Sequence, residues 1–438
     1  MSKGTENLRT LGIIAHGGAG KTSLAEAVLF ATGVTTRQGK VADGTSILDH
    51  EAEEVARQIT ITSAFCTLIW KGATLTLVDT PGDFNFLADT RTCLHGVDGA
   101  LVVVDAIDGV KVQTEKVWEF ANELSLPRLV FINKMDRERA DFQKVVNEIR
   151  GTLSNKAVPV YLPVGAAESF SGMVDVLEQK AYQVEKDGSG KFKEAPVPDS
   201  MKDLVESARE QLIERIAEAD DQLLEKYLEG GELSAQELQA GLRSACLAGD
   251  LIPIACGSAI RNMGAHLLLD LVIQCLPSPL DRGAKAGINP KDSREDSRMP
   301  DPDAPMSAQV IKTVSDPYAG RLSILRIFSG TMRPDSTVLN STKKVKERFG
   351  PLLLMQGKNQ KASQSAGPGQ IMAVAKLKET LTGDTLCDEK NPIVYPPLKT
   401  LEPIVSMAVQ PKARGDEEKI FSSLARLMEE DPTLKVRR

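Results

Sequence analysis

The chain has 438 residues, 42% of them apolar and 26% charged, and a net charge of −7 at pH 7. That length exceeds one hydrophobic core and predicts several domains. No apolar run of about 18 residues predicts a membrane span, Met1–Glu6 carries no secretory signal, and the acidic balance argues against DNA or bulk nucleic acid as a partner of the whole body.

Taken in order, short apolar runs predict strands at Leu11–Ile14, Thr74–Val78, Ala100–Val104, Arg128–Ile132, Val158–Leu162 and Leu251–Ala255. Helical spacing predicts helices at Ser23–Ala31, Thr114–Leu124, Asp141–Leu153 and Gly264–Leu276. Uniformly apolar strands alternating with helices imply a mostly parallel α/β sheet covered on both faces. The alternation breaks from about 164 to 250. A polar turn at Lys186–Gly190 and a loop with Pro196 and Pro198 lead into a helix with Met201, Leu204, Val205, Ala208, Leu212 and Ile216 on its apolar face. Helices at Gln222–Leu228 and Ala235–Leu247 follow. Their polar faces carry Glu214, Glu218, Asp220, Asp221, Glu225 and Glu229, which read as a solvated surface or as a dock for a basic partner.

A Pro-rich, polar linker spans 282–304. From 305 to 400, β-rich runs (Ala308–Val314, Arg321–Phe328, Gln370–Leu377) separated by turn signals at Asp316-Pro317, Arg333–Asp335, Gly367–Gly369 and Gly383-Asp384 predict a small β-barrel. The last stretch, 401–438, predicts a strand at Ile404–Val409 and a helix with Ile420, Leu424, Leu427 and Met428 on one face, ended by Asp431-Pro432. Such a β-α-β start cannot bury its own faces and is expected to be a truncation or a fragment. Residues 1–281 are therefore read as one domain with an insertion at about 164–250. The six cysteines form no CxxC pair and are expected to be buried, reduced thiols of a cytoplasmic protein.

Each chemical motif falls at a predicted strand end, where parallel sheets bind ligands. After Leu11–Ile14 come Ala15, His16, Gly17, Gly18, Ala19, Gly20, Lys21 and Thr22. A glycine-rich turn opening a helix points backbone N–H groups at an anion. Lys21 adds charge for outer phosphates, and Thr22 a hydroxyl for Mg²⁺. Ala15 departs from the glycine of this pattern. Arg57–Thr62 offers Thr60 as a second hydroxyl for the metal. Asp79, Thr80, Pro81 and Gly82 follow the next run: a carboxylate to hold the Mg²⁺ shell, then a glycine that lets the backbone approach a γ-phosphate. Asn133, Lys134, Met135 and Asp136 follow Leu129–Ile132. Guanine presents N1–H and an amino group side by side, and one carboxylate, Asp136, accepts both. Asn133 would brace this loop and the Lys134 stem would cover the ring. After the final strand, Cys256, Gly257, Ser258 and Ala259 are small enough for a backbone N–H, that of Ala259, to reach the guanine oxygen.

With these residues in this order, the sequence resembles the translational GTPases, and among them bacterial elongation factor G. Ile59–Ala64 resembles the end of its switch I, Asn133–Arg137 its guanine motif, Cys256–Ala259 with Leu276–Pro279 the close of its G domain. Thr382–Cys387 resembles its second domain, and Glu430–Pro432 the start of its third. The resemblance runs from about Leu8 to Val436. It implies a P-loop NTPase domain, a β-barrel and an incomplete α+β ferredoxin-like domain. The family's tRNA-mimicking C-terminal domains are expected to be missing from the chain.

The resemblance also implies a monomeric, cytoplasmic, ribosome-associated switch acting in elongation, with GTP or GDP and Mg²⁺ bound and no membrane partner. The ribosome would supply rRNA and stalk-protein contacts, the latter to the acidic insertion. Thr22 and Thr60 would ligate the metal directly and Asp79 through water; Gly82 would sense the γ-phosphate. Four positions depart from the family. Gly18 stands where an acidic residue is usual, and Gln58 where glycine is. Asp83 stands where a histidine positions the attacking water, with Asn85 in place of a carboxylate. These departures sit closer to the elongation-factor-G-like paralogues. Asp83 can act as a base, yet an anion beside a γ-phosphate is repelled unless protonated or shielded. Two readings stand: a GTPase using Lys21, Gly82 and Asp83, or a GTP-gated ribosome-binding module with negligible hydrolysis.

Overall fold

The computed structural model describes residues 4–185, 187–316, 320–403, 405–411, 413 and 415–437. They form two compact units: Arg9–Leu87 with Val97–Asp281, and residues 4–8 with Ala88–Gly96 and 282–437.

The first part of the chain runs β1 (Leu8–Ile14), α1 (Lys21–Ala31), α2 (Ala52–Arg57), β2 (Ala64–Trp70), β3 (Ala73–Asp79), α3 (Leu87–Leu94), β4 (Gly99–Asp105), α4 (Val112–Glu123), β5 (Arg128–Asn133), α5 (Phe142–Glu148), β6 (Ala157–Pro159) and β7 (Tyr161–Val164). There follow β8 (Gly172–Asp175), β9 (Lys180–Val184), β10 (Phe192–Pro196), α6 (Lys202–Glu218), α7 (Asp221–Leu228), α8 (Ala235–Ala248), β11 (Ile252–Cys256), α9 (Ala265–Cys275) and α10 (Pro279–Arg282).

A seven-stranded sheet has the order β2-β3-β1-β4-β5-β11-β6. The β1–β4, β4–β5, β5–β11 and β11–β6 pairs are parallel, and the β2–β3 hairpin is antiparallel. Its central strands are buried along their whole length, which is why they read as unbroken apolar runs. Three expectations need correction here. Val158–Leu162 is two strands: β6 ends at Pro159, whose ring removes a ladder N–H, and β7 joins a different sheet. The helix expected over Asp141–Leu153 is α-helical to Glu148 and then a π turn from Ile149 to Leu153, a stretch that includes the weak helix former Gly151. The hairpin strand β2 and helices α2 and α3 stand where no element was expected.

The insertion is not helices alone. Four antiparallel strands in the order β10-β9-β8-β7 precede them. The polar turn expected at Lys186–Gly190 is the β9–β10 hairpin loop, with Lys186 outside the described residues, and the Pro196 loop is the end of β10. Tyr182 and Phe192 pack edge-on across this hairpin at 4.9 Å. The helices α6, α7 and α8 lie where expected, but Leu204 faces solvent at 53% exposure while Val205, Leu212 and Ile216 are buried. Ser234 and Glu237 form a reciprocal capping box that starts α8.

In the second unit the expected linker forms a hairpin, β12 (Lys285–Ile288) with β13 (Glu295–Arg298). Ile288 bridges further to Val394, so partners supplied by tertiary structure override a polar sequence. Then come β14 (Ser307–Asp316), β15 (Gly320–Ser329), β16 (Thr337–Asn340), β17 (Val345–Arg348), β18 (Leu352–Gln356), β19 (Asn359–Ser363), β20 (Ile371–Ala375) and β21 (Thr385–Cys387). They make an eight-stranded antiparallel sheet ordered β17-β16-β21-β14-β15-β20-β18-β19. Val338, Leu386, Val310, Leu325, Val374 and Leu352 from across that order share one core, so the sheet curls into a barrel. Pro317, in one expected turn, is outside the described residues. Within this unit Lys312 of β14 pairs with Asp89 of α3, and Arg326 of β15 donates to Gly96 O at 3.2 Å.

The strand expected at Ile404–Val409 does not form: Ile404 is outside the described residues, and Val405, Met407 and Val409 are 76, 87 and 61% exposed in coil. Alternation alone makes no strand without a neighbour to pair with, and none lies beside it among the described residues. The expected helix forms as α11 (Glu417–Glu430), with Asp431 as its C-cap. All six cysteines are buried free thiols. No helix among the described residues is long and apolar enough to cross a membrane.

Candidate functional site

The loops after β1, β3, β5 and β11 meet at one end of the parallel sheet. Ala15 and Ala19 are fully buried. Ala15 has negative φ, so a methyl group replaces the usual glycine hydrogen there without backbone strain. Gly20 caps α1 at φ 93°, in the left-handed region, and a Cβ there would collide with the Asn133 side chain. Lys21 is buried and donates to His16 O at 3.2 Å. The His16 ring is buried beneath the loop, its Nδ1 2.9 Å from Thr114 Oγ1 on α4.

The β3 end packs against this loop. Thr80 Oγ1 donates to Ile13 O at 2.7 Å, fixing the Asp79–Gly82 turn to β1. A Cβ on Gly82 would strike Lys21 Nζ and come within 2.8 Å of Ala15 O, so the close approach requires glycine. Pro81 and Gly82 are buried and Asp83 is half-buried. The Asp83 carboxylate caps the short turn Phe84–Phe86: Oδ1 accepts from Asn85 N–H at 2.9 Å and from Asn85 Nδ2 at 2.8 Å. The two departures from the family's pattern thus bond to one another.

Residues 33–62 bring Thr60 Oγ1 to within 2.9 Å of Thr22 Oγ1. Beside this pair both oxygens of Asp79 and both of Asp49 are buried with no hydrogen-bond partner among the described residues. Burial raises both carboxyl groups, each further raised by other carboxylates nearby and opposed by Lys21 and by an adjacent hydroxyl, Thr60 for Asp49 and Thr22 for Asp79; burial likewise lowers Lys21. Two unsatisfied carboxylates with two hydroxyls form a hard oxygen donor set that fits Mg²⁺. The only other cluster of this kind among the described residues, His16 with Asp105 and Asp108, is already matched by cations: Lys134 Nζ lies 2.6 Å from Asp105, and Lys111 Nζ 2.6 Å from Asp108.

On the β5 side, the Asn133 amide joins two loops. Its Nδ2 donates to Ala19 O and its Oδ1 accepts from Ala259 N–H, both at 2.9 Å. The Ala259 N–H expected to face a guanine oxygen is directed to Asn133 in this structure. Lys134 reaches Gly18 O at 2.7 Å, along the phosphate loop. Met135 is buried, its N–H bonded to Gly257 O at 3.1 Å. Buried Ser258 exchanges backbone bonds with Met263 at 2.9 Å. The Asp136 side chain is only 9% exposed and lies 3.5 Å from Arg261 Nε.

An open cleft of about 390 Å³ is lined by His16, Gly17, Gly18, Gly20, Lys21, Thr22, Thr60, Gly82 and Asp83. Asn133, Lys134 and Asp136 stand outside that lining, on the adjoining loop. Among the residues that line the cleft, sequence reasoning missed Val41, Asp49, Lys111 and Gln113, and it named Gln58 only as a departure from the family pattern. An isolated Asp in a loop gives no periodic signal. Gln58 sits at φ 56° as the C-cap of α2, the conformation for which glycine is usual, and its Nε2 donates to Ala42 O at 3.1 Å.

Residues 6–278 match the Elongation factor Tu GTP binding domain, 305–389 match Elongation factor G domain 2, and 401–438 match Elongation Factor G, domain III. Among solved structures, a crystal structure from Thermus thermophilus superposes with a TM-score of 0.87 at 32% identity. That alignment covers 98% of this chain and 62% of the Thermus chain, so the present sequence spans less than two thirds of that relative. A parallel sheet carrying these strand-end loops, followed by a β-barrel and matched along its length by these families, belongs to the elongation factor G type of translational GTPase.

Proposed function

We propose that the chain binds GTP and GDP with Mg²⁺ and acts as a ribosome-associated switch that hydrolyses GTP during elongation. One observation carries this reading: Asn133 ties the phosphate loop at Ala19 to the Ala259 loop, so phosphate-binding and base-reading elements are braced as one site. Lys21 and the loop N–H groups would hold the phosphates. Thr22, Thr60, Asp79 and Asp49 would hold Mg²⁺, which when bound supplies positive charge at the outer phosphates. Gly82 lets the backbone approach the γ-phosphate, and Asp136 accepts from the guanine edge. Family membership supports the ribosome as partner, with rRNA and stalk proteins as its contacts. It also supports a cytoplasmic, monomeric protein.

Base selection is tested at Asp136. Asp136→Asn is expected to move preference from GTP to XTP, because xanthine offers a carbonyl where guanine has its amino group. Unchanged GTP affinity in that variant would remove Asp136 from its role.

A second reading is favoured by Asp83. Its Oδ1 already accepts two bonds from Asn85, so the side chain is held as a cap and only its other oxygen is left for a water. On this reading the chain is a GTP-gated ribosome-binding module with negligible turnover. Single-turnover hydrolysis with and without ribosomes separates the two. Ribosome-stimulated cleavage that falls about 100-fold or more in Asp83→Ala supports catalysis by Asp83. Stimulated cleavage unchanged in that variant supports a GTPase in which Asp83 is a cap. No cleavage above background supports the module.

A further inference from the structure

Residues 33–62 carry Asp49 and Thr60 to the cleft, yet their only regular element is the short helix α2. A segment with so little secondary structure needs outside partners for its backbone N–H groups. Two fully buried glutamates supply them. Glu54, on α2, accepts with Oε1 from Ile61 N–H at 3.0 Å and Thr62 N–H at 3.1 Å. Its Oε2 accepts from His50 and Glu51 N–H, both at 3.1 Å. Glu26, on α1, accepts with Oε1 from Ser46 Oγ at 2.6 Å, Ile47 N–H at 2.7 Å and Leu48 N–H at 3.4 Å.

The positions of these bonds are the telling feature. Residues 46–48 directly precede Asp49, residues 50 and 51 directly follow it, and residues 61 and 62 directly follow Thr60. Neither glutamate pairs with a lysine or arginine among the described residues. An ionised carboxylate accepts on both oxygens, so Glu54 can take four N–H groups at once. An amide in its place accepts on one atom only and presents N–H groups to donors. Bonds to a charged acceptor are also stronger than neutral ones. The anion, and not merely the side-chain volume, closes the clamp.

We infer that Glu54, backed by Glu26, is the positioning residue that couples the order of residues 46–62 to the outer phosphate of the bound nucleotide. With the clamp closed, Thr60 stands against Thr22 and Asp49 stands in the cleft. With it open, both leave the site while the phosphate loop and the base loops stay intact. This rests on the cleft being a guanine-nucleotide site. It adds that discrimination between tri- and diphosphate is held by a buried carboxylate remote from the nucleotide.

The test uses the full chain with Mg²⁺ and measures affinity for GDP and for a non-hydrolysable GTP analogue. Glu54→Gln is expected to weaken the analogue about tenfold or more, an effect typical of coupled sites, with GDP affinity within about twofold. Glu26→Ala, which removes the oxygen that accepts from Ser46, Ile47 and Leu48, is expected to do the same to a smaller degree. Hydrogen exchange of residues 46–62, slowed by the analogue in the unmodified chain, is expected to stay fast in Glu54→Gln. Thr60→Ala should mimic part of the loss, and the Glu54→Gln/Thr60→Ala double variant should lose less than the sum of the two single variants, since Glu54 acts through Thr60 as well as Asp49. Retained GDP affinity certifies that the variants fold. Equal loss of GDP and analogue would make Glu54 a general structural residue and overturn the inference. Additive effects in the double variant would overturn it too, since Glu54 would then not act through Thr60. If the unmodified chain binds neither nucleotide, the site reading itself fails, a result distinct from either.

Discussion

His16 shows how one buried side chain can report on the whole phosphate loop. Thr114 Oγ1 accepts from Lys111 N–H at 3.2 Å and shares a hydrogen bond with His16 Nδ1 at 2.9 Å. Burial, reinforced by Lys111 and Lys21, lowers its pKa to about 4, against weaker opposition from Asp105 and Asp108. Because the folded pKa lies below the ordinary 6.5, the unfolded chain takes up the proton first as pH falls. The contribution of His16 to stability is therefore complete above about pH 6.5 and is lost as pH falls towards 4, by at most about 3 kcal/mol. With four histidines in the chain, proton NMR can follow each ring. The His16 signal is expected to stay flat between pH 7 and 5, and a midpoint above 6 would contradict a buried neutral ring. The sequence places this histidine in the glycine-rich loop but gives no sign of its burial; its environment comes from α4, about a hundred residues away.

At the scale of elements, legibility followed burial. The parallel strands β4, β5 and β11 were readable because both faces are covered, so no polar residue interrupts them. Elements at the margins were not. The strand β10 reads Phe-Lys-Glu-Ala-Pro, and β13 reads Glu-Asp-Ser-Arg; each is held by a partner strand and not by its own pattern. The candidate site divides in the same way. The residues proposed for phosphate, metal and base sit mostly at strand ends, where sheet topology dictates position, and short motifs drew attention to them. Asp49, Glu26 and Glu54 take their meaning from the path of an irregular segment, which periodicity does not encode. Asp83 is intermediate. Its substitution was visible in sequence, but its use as a cap for Asn85 needed coordinates.

For the whole molecule, the division into two units has a thermodynamic consequence. Every residue assigned to nucleotide or metal lies in Arg9–Leu87 or Val97–Asp281. The barrel has a separate core, with Phe349, Leu325 and Leu352 at its centre. A ligand stabilises what it binds by RT ln(1 + [L]/Kd), about 2.7 kcal/mol at a hundred times Kd. For a unit of this size that corresponds to a rise in Tm of roughly 5–10 °C. Calorimetry is therefore expected to show two transitions, of which GDP with Mg²⁺ raises one and leaves the other in place. Chelating the metal should shrink the shift, because Asp79 and Asp49 then lose the cation that offsets their buried charge. Deleting the second unit is unnecessary for assignment: hydrogen exchange read during the melt tells whether β5 or β15 survives longer with nucleotide present. If both transitions rise together, the two units unfold as one cooperative body, and the nucleotide then stabilises the barrel as strongly as the sheet that binds it.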